Sequence, residues 1–320
     1  MKIVVLDGQT LNPGDNPWSP VQNTLGPNDK FEVFAKSNRG QALERSKDAH
    51  VVLTNKTPLD AQTLAALPDL KLVCVLATGV NTVDLDAAKR LGIKVCNVPE
   101  YGTDSVAQFV ISQLLYFAHR VALHDRKIRQ GKWAEVGEFC FWDTPQMELA
   151  GLTFGIIGYG RIGQAVARLA SAFGMDVIAY SPSGPKPDGV ATPVSLGELY
   201  QRSDVVSLHC VLTANTRHLI NAKSLSEMKN SAYLINTARG SLIDEGDLAR
   251  ALQSGVIAGA ALDVVPQEPI PAESPLLEAP NLLLTPHMAW GSVQARKRLM
   301  QTTAANIQGF FAGSPQNIVA

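Results

Sequence analysis

Two groups of residues in this chain have types and spacing suited to chemistry. The first is Gly158-Tyr159-Gly160-Arg161-Ile162-Gly163, a GxGxxG loop. An apolar run at residues 154–157 precedes it, and an amphipathic stretch at 164–173, ended by Gly174, follows. Between a strand and a helix, such a loop cradles a pyrophosphate. The first glycine allows the tight turn, the second lets the backbone approach the phosphates, and the third lets the helix pack on the strand. The phosphates then sit at the helix N-terminus, where unpaired N–H groups and the helix dipole favour negative charge. The glycines alone are a weak signal, and the strand–loop–helix setting makes them specific.

The second group lies further on. Asn236-Thr237-Ala238-Arg239-Gly240, Asp263 with Glu268-Pro269, and Thr285-Pro286-His287 each follow a predicted strand. Taken singly, an arginine is usually a solvated charge and a histidine an ordinary hydrogen-bonded side chain. Together, at strand ends beyond a dinucleotide loop, they fit the reduction of a 2-oxo acid, because function collects at the carboxyl ends of doubly wound sheets. That reaction needs a cation for the carboxylate, an acid for the carbonyl oxygen and a hydride donor. Arg239 offers a planar bidentate fork. His287 can give the proton, and a carboxylate such as Glu268 would favour its charged form. Asp263 is expected to hold the nicotinamide carboxamide.

The elements that must position these groups alternate between strand and helix patterns. Apolar runs at 3–6, 51–54, 72–76 and 94–97 predict strands, and the segments at 61–67 and 85–91 predict helices, the second stopped by Gly92. After the glycine loop, strands are predicted at 176–180, 205–208, 233–236, 259–262 and 282–284, with a closing helix at 293–311. This rhythm implies parallel sheets covered by helices on both faces. Residues 104–123 predict one long helix, apolar on nearly every face and therefore buried on all sides, between domains and against a second subunit. The stretch 181–193 is predicted as a Pro/Gly-rich loop.

A chain of 320 residues suggests about two domains. With 46% hydrophobic residues and a mean hydropathy of +0.04, it can bury a sizeable core. A net charge of −1 supports neither a nucleic-acid nor a membrane-surface partner. No apolar run approaches the roughly 18 residues of a membrane span, and the first apolar run is too short for a signal peptide. The protein is expected to be soluble and cytoplasmic. Its four cysteines, Cys74, Cys96, Cys140 and Cys210, lack metal-ligand spacing, so no metal site is expected.

At this point the chain resembles the D-isomer-specific 2-hydroxyacid dehydrogenases, over essentially its whole length. The matching pieces are Ala77-Thr78-Gly79-Val80-Asn81, Tyr101-Gly102-Thr103-Asp104-Ser105-Val106-Ala107, the glycine loop, Thr237-Ala238-Arg239-Gly240, Asp263 with Glu268-Pro269, and Pro286-His287. The resemblance implies two Rossmann-like doubly wound domains: a flavodoxin-like substrate-binding domain over 1–99 and 291–320, and an NAD(P)-binding domain over 100–290. It implies that Arg239, Glu268 and His287 are catalytic, and that N–H groups of Thr78, Gly79 and Val80 help Arg239 hold the substrate carboxylate. Gly158, Gly160, Arg161, Ile162, Gly163, Ser181, Thr237, Ala238 and Asp263 would contact the cofactor. It also implies a homodimer through the helix at 104–123.

Within the family, Phe139-Cys140-Phe141-Trp142 and His287-Met288-Ala289-Trp290 are most similar to glycerate dehydrogenases, also called hydroxypyruvate reductases. That Trp142 and Trp290 only fill hydrophobic space is an equal alternative. Expected substrates are hydroxypyruvate or glyoxylate. Alternatives are another acid, such as phosphoglycerate, D-lactate or formate, or a dinucleotide-sensing co-repressor. One departure bears on the cofactor. NAD-specific members carry an acid at the end of the second strand, where this chain has Ser181, while Asp176 lies at that strand's start. Removing that charge leans towards accepting NADP, and Lys186 is a candidate, though a weak one, for the 2′-phosphate. His209 is read as structural.

Overall fold

A computed structural model describes residues 1–182, 184 and 189–320. The chain divides into two compact units, Met1–Gly102 with Gly291–Ala320, and Thr103–Trp290.

The first unit is built on five parallel strands in the order β2-β1-β3-β4-β5. They are β1 (Lys2–Val5), β2 (Lys30–Val33), β3 (Val51–Thr54), β4 (Leu72–Val75) and β5 (Lys94–Cys96). The central strands β3 and β4 are buried at every residue, as continuous apolar runs in a two-sided parallel sheet should be. β2 was not foreseen. Its sequence, Lys30-Phe31-Glu32-Val33, is charged at alternate positions and only partly covered at the sheet edge. Helices between strands begin on short acids: Asp60 and Asp84 each accept a first-turn N–H, from Thr63 and Ala87. The helix Val293–Phe311 belongs to this unit. Arg296, buried on it, makes two bonds to Asp15 at 2.5 and 2.6 Å. The last residues extend the edge, where Val95 N–H donates to the Ala320 carbonyl at 3.0 Å.

The second unit has seven parallel strands in the order β12-β11-β10-β9-β6-β7-β8. They are β6 (Thr153–Ile157), β7 (Asp176–Tyr180), β8 (Thr192–Pro193), β9 (Val205–Leu208), β10 (Tyr233–Asn236), β11 (Gly259–Leu262) and β12 (Leu282–Leu284). The two-residue β8 lies inside the segment predicted as loop. Two apolar clusters are built from this unit's strands and helices, one around Leu208, Leu234 and Leu252, the other around Phe154, Val166 and Leu114. The direction of chain travel reverses between β6 and β9, so the crevice at their carboxyl ends is the topological switch point where doubly wound sheets bind ligands.

The long helix differs from expectation. It runs Thr103–His119, and Val121–Arg129 continues it after a 52° bend. Arg120 makes the break with φ +48°, while its guanidinium stacks over Tyr116 and Phe117 at 4.9 and 4.8 Å from the ring centroids. Burial is also one-sided. Val106, Val110, Leu114 and Phe117 are covered, whereas Asp104, Gln108, Ser112, Tyr116 and His119 form an exposed stripe at helical spacing. No single helix among the described residues is long and apolar enough to cross a membrane.

Candidate active site

The glycine loop leaves β6 with Gly158 at φ +99°, a conformation that favours glycine. A Cβ there would also lie 2.4 Å from the Cys210 nitrogen, on the chain leaving β9. At Gly163 a Cβ would come within 2.4 Å of the Gly158 carbonyl oxygen, so the helix Arg161–Ala172 can approach the loop only without one. Gly160 is different, because among the described residues nothing lies within 4 Å of its Cβ position. The space beside it is open, and the helix begins there with no side-chain cap on its first N–H groups. Thr237, after β10, adds a buried hydroxyl with no hydrogen-bond partner among the described residues. An open cradle, an uncapped helix start and an orphaned hydroxyl fit a dinucleotide.

Ser181 directly follows β7, whose last residue, Tyr180, accepts the Gly158 N–H at 2.8 Å. Asp176 opens β7 at the opposite end of the strand. Lys186 lies outside the described residues.

The turn carrying Arg239 is shaped by Asn236, a residue whose role the sequence did not signal. Fully buried at the end of β10, its side chain accepts the Ala238 N–H at 3.0 Å and donates to the Arg239 carbonyl at 2.9 Å. Arg239 itself is exposed and donates to the Ala238 carbonyl. The next residue, Gly240, packs so closely that a Cβ would meet the Val265 carbonyl carbon at 1.9 Å. The arginine turn therefore lies against the loop that leads to Glu268.

Glu268 is braced within that loop, with one carboxylate oxygen accepting the Val265 N–H at 3.3 Å. The other stands 2.7 Å from Nδ1 of His287. Both side chains are about one-third exposed or less, at 33% and 27%, so the pair is partly shielded from solvent. His287 has φ +52°, rare for a residue with a side chain and costing about 1–3 kcal/mol. Its N–H donates to the Asp263 carbonyl at 2.8 Å, and its carbonyl accepts the Trp290 indole N–H at 2.8 Å.

Asp263 is 1% exposed. One of its oxygens accepts the Thr285 hydroxyl at 2.6 Å and the Met288 N–H at 2.9 Å, and the other accepts the Ala289 N–H at 2.8 Å. Burial pushes its carboxyl above the usual range, against the downward pull of these bonds. Asp263, the residue expected to hold the carboxamide, is thus also bonded to the loop that carries His287. Trp290 is half-buried at that loop, whereas Phe139 and Trp142 stand 87% and 64% exposed and fill no core in this chain.

In the first unit, the turn after β4 is tied down by Thr78, whose hydroxyl donates to the Val98 carbonyl at 3.1 Å, and by Asn97, which donates to the Thr78 carbonyl at 2.8 Å. Among the described residues, the N–H groups of Thr78, Gly79 and Val80 meet no acceptor.

Residues 111–289 match the family described as D-isomer specific 2-hydroxyacid dehydrogenase, NAD binding domain. The chain is 44% identical to a hydroxypyruvate reductase of Blautia hydrogenotrophica, covering 100% of this chain and 99% of the relative. It is 39% identical to a glycerate dehydrogenase of Methylorubrum extorquens, covering 99% and 98%. Among solved structures, an acyclic imino acid reductase in complex with NADPH and D-Arg superposes with a TM-score of 0.87 at 31% identity, each chain covered in full. With the glycine cradle and the histidine–glutamate pair in one unit, and relatives of this identity over full length, the chain belongs to the D-isomer-specific 2-hydroxyacid dehydrogenases.

Proposed function

We propose that the protein reduces a small 2-oxo acid, hydroxypyruvate or glyoxylate, to the D-2-hydroxy acid with NAD(P)H, and runs the reverse. The observation that carries this reading is the His287–Glu268 pair at 2.7 Å, on a loop whose backbone is gripped from β11. The bound nicotinamide supplies the hydride. Arg239 holds the substrate carboxylate through its guanidinium fork. The N–H groups of Thr78, Gly79 and Val80 add donors to the same carboxylate. With Nδ1 turned to Glu268, His287 presents Nε2 to the carbonyl oxygen and gives it a proton as the carbonyl carbon becomes a C–H. In the reverse direction the same nitrogen takes the hydroxyl proton. The negative charge of Glu268 stabilises the imidazolium between the two states.

In this reading residues 1–99 and 291–320 form the substrate-binding domain and residues 100–290 the dinucleotide-binding domain. Gly158, Gly160, Arg161, Ile162 and Gly163 hold the pyrophosphate, while Thr237 and Ala238 contact the cofactor further along. Ser181 meets the adenosine ribose and, lacking charge, admits NADPH as well as NADH. A homodimer joined through the region of residues 104–123 is supported by exposed apolar side chains there and just beyond it, including Tyr116, Val121 and Ile128.

The test is the loss of reduced-cofactor absorbance with a panel of 2-oxo acids, using NADH and NADPH in parallel, with chiral analysis of the product. Turnover of hydroxypyruvate or glyoxylate to the D acid is expected. Cofactor binding without turnover of any acid would favour a sensing role instead.

A further inference from the structure

We propose that Cys74 and Cys96 form a redox-sensitive pair: a hydroperoxide joins them into a disulfide between β4 and β5, and the bond weakens the hold of the Thr78–Val80 turn on the substrate carboxylate. The inference rests on the reading of that turn as a carboxylate holder. The two residues are direct partners across the parallel strands, and the Cys96 thiol donates to the Cys74 sulfur at 3.2 Å. Neighbouring strands run about 4.7–4.9 Å apart, inside the roughly 4.4–6.8 Å that a disulfide spans between Cα atoms. Closure to an S–S bond of about 2.0 Å therefore draws the sulfurs about 1.2 Å nearer, with no slip of register. Both residues are fully buried. Val73, Val75 and Val95 belong to the apolar cluster on one face of the sheet, so the two cysteines, at alternate positions, point to the other.

What the bond moves is the turn beyond it. β4 leads through Leu76 and Ala77 to Thr78, Gly79 and Val80, and β5 leads to Asn97 and Val98, which brace that turn. The Val98 N–H donates to the Ala77 carbonyl at 3.1 Å, the Thr78 hydroxyl to the Val98 carbonyl at 3.1 Å, and the Asn97 side chain to the Thr78 carbonyl at 2.8 Å. A pull between the cysteines thus acts on both stems of the turn. Access is set at the sheet edge. β5 is the outer strand, and residues 317–320 cover it: the Val95 N–H donates to the Ala320 carbonyl at 3.0 Å, the Val319 N–H to the Val95 carbonyl at 2.8 Å, and the Asn97 N–H to the Asn317 carbonyl at 3.2 Å. Local opening of this short pairing uncovers Cys96 first. While the edge is closed, the hydrogen bond with Cys96, together with burial, holds the Cys74 thiol well above its usual range, so little thiolate stands ready to react. Once reached, the Cys96 sulfur attacks the O–O bond of hydrogen peroxide, becomes a sulfenic acid and releases water. The Cys74 sulfur then displaces the sulfenic hydroxyl as a second water and forms the S–S bond. Two thiols give up two electrons and two protons, and one peroxide is reduced to two waters.

The experiment treats the protein with hydrogen peroxide, blocks the remaining thiols with iodoacetamide and maps the peptides by mass. The peptides carrying Cys74 and Cys96 should be joined, two hydrogens lighter than the reduced pair. In turnover, KM for the 2-oxo acid should rise roughly tenfold, because a displacement of about 1 Å can cost up to about 100-fold, while KM for the reduced cofactor moves less than about 3-fold. Dithiothreitol should reverse both the mass and the KM, a readout on wild type that stands if a variant folds poorly. Cys74→Ala and Cys96→Ala should hold their untreated KM through the same exposure. A peroxide dose that oxidises Cys140 but links no Cys74 to Cys96 would overturn the proposal, as would a linked peptide with KM unmoved or an equal KM rise in the alanine variants. A linked peptide with altered hydrogen exchange at Gly79 and Val80, in a protein that reduces no 2-oxo acid, would uphold the coupling of the pair to the turn and sink the reading of the turn as a carboxylate holder.

Discussion

Each unit holds one loop at the carboxyl edge of its sheet with a buried aspartate, and the two make an instructive pair. In the first unit Asp7, just past β1, accepts the N–H groups of Asn55, Lys56 and Thr57 at 2.8, 2.6 and 2.7 Å, and the Thr57 hydroxyl at 3.0 Å. In the second, Asp263 does the same for the loop after β12. The device is one: a short acid at a strand end supplies acceptors that a tight loop cannot find in its own backbone. The difference lies in what the loop carries. The loop pinned by Asp7 has no residue with left-handed backbone, whereas the loop pinned by Asp263 has His287 at φ +52° with a glutamate on its ring. The same bond pattern holds an ordinary turn in one place and the loop bearing His287 in the other.

The comparison breaks most visibly if chemistry does not depend on the second loop. His287→Ala should lower the reduction rate by about 10²–10⁴-fold, the usual worth of a general acid, while cofactor affinity measured by calorimetry stays near wild type. An equal loss of affinity would mean that the loop serves binding rather than proton transfer.

Another strand end of the second unit sharpens the contrast through charge alone. Ser181→Asp should shift preference from NADPH towards NADH by about one to three powers of ten. An added carboxylate about 4 Å from a 2′-phosphate costs roughly 1–4 kcal/mol, and each 1.4 kcal/mol is about tenfold. Ratios of kcat/KM for the two cofactors measure it, and a wild type that already rejects NADPH a hundredfold would show that another group closes the 2′-pocket.

The first unit's pin should behave oppositely. Asp7→Asn should cost about 1–3 kcal/mol of stability, the penalty for a buried donor left without its acceptor, with kcat unchanged. Thermal unfolding and steady-state kinetics on one preparation read both. A kcat that fell with full stability would erase the distinction between the loops.

The smallest effect comes from His209, just past β9, whose ring is pulled down to about 4 by burial and whose Nε2 lies 2.9 Å from the Ser207 hydroxyl. A histidine depressed below its unfolded value of about 6.5 stabilises the fold above that pH and loses the contribution as pH falls towards the folded value. Between pH 7 and pH 5 the loss should reach about 2 kcal/mol as a ceiling, because the side chain keeps some contact with solvent. Denaturant titrations across that window should show it, and a flat response in His209→Gln assigns it.

What could be read in advance follows from where the information sits. The strands β3, β4, β9 and β11 were legible because both faces are covered, so burial is written as nearly uninterrupted apolar runs. Among the edge strands, β5 and β12 were still marked by short apolar runs, whereas β2, charged at alternate positions, and the two-residue β8 went unforeseen. The break at Arg120 was invisible because apolar residues continue across it and no glycine or proline marks the turn. Arg239, Glu268 and His287 stood out because reactivity resides in their side chains. Asn236 and Asp7 did not, because their partners are backbone groups whose proximity only the fold creates. The exposed apolar side chains of Phe139 and Trp142 could be named in advance, but not their exposure.

Finally, the helix Val293–Phe311 and the residues after it belong to the first unit although the whole of the second precedes them in sequence. Asp15 and β5 are thus translated before their partners Arg296 and Ala320, and every strand of the second unit is translated between them. The unit whose chain is begun first is thus the one whose chain is completed last.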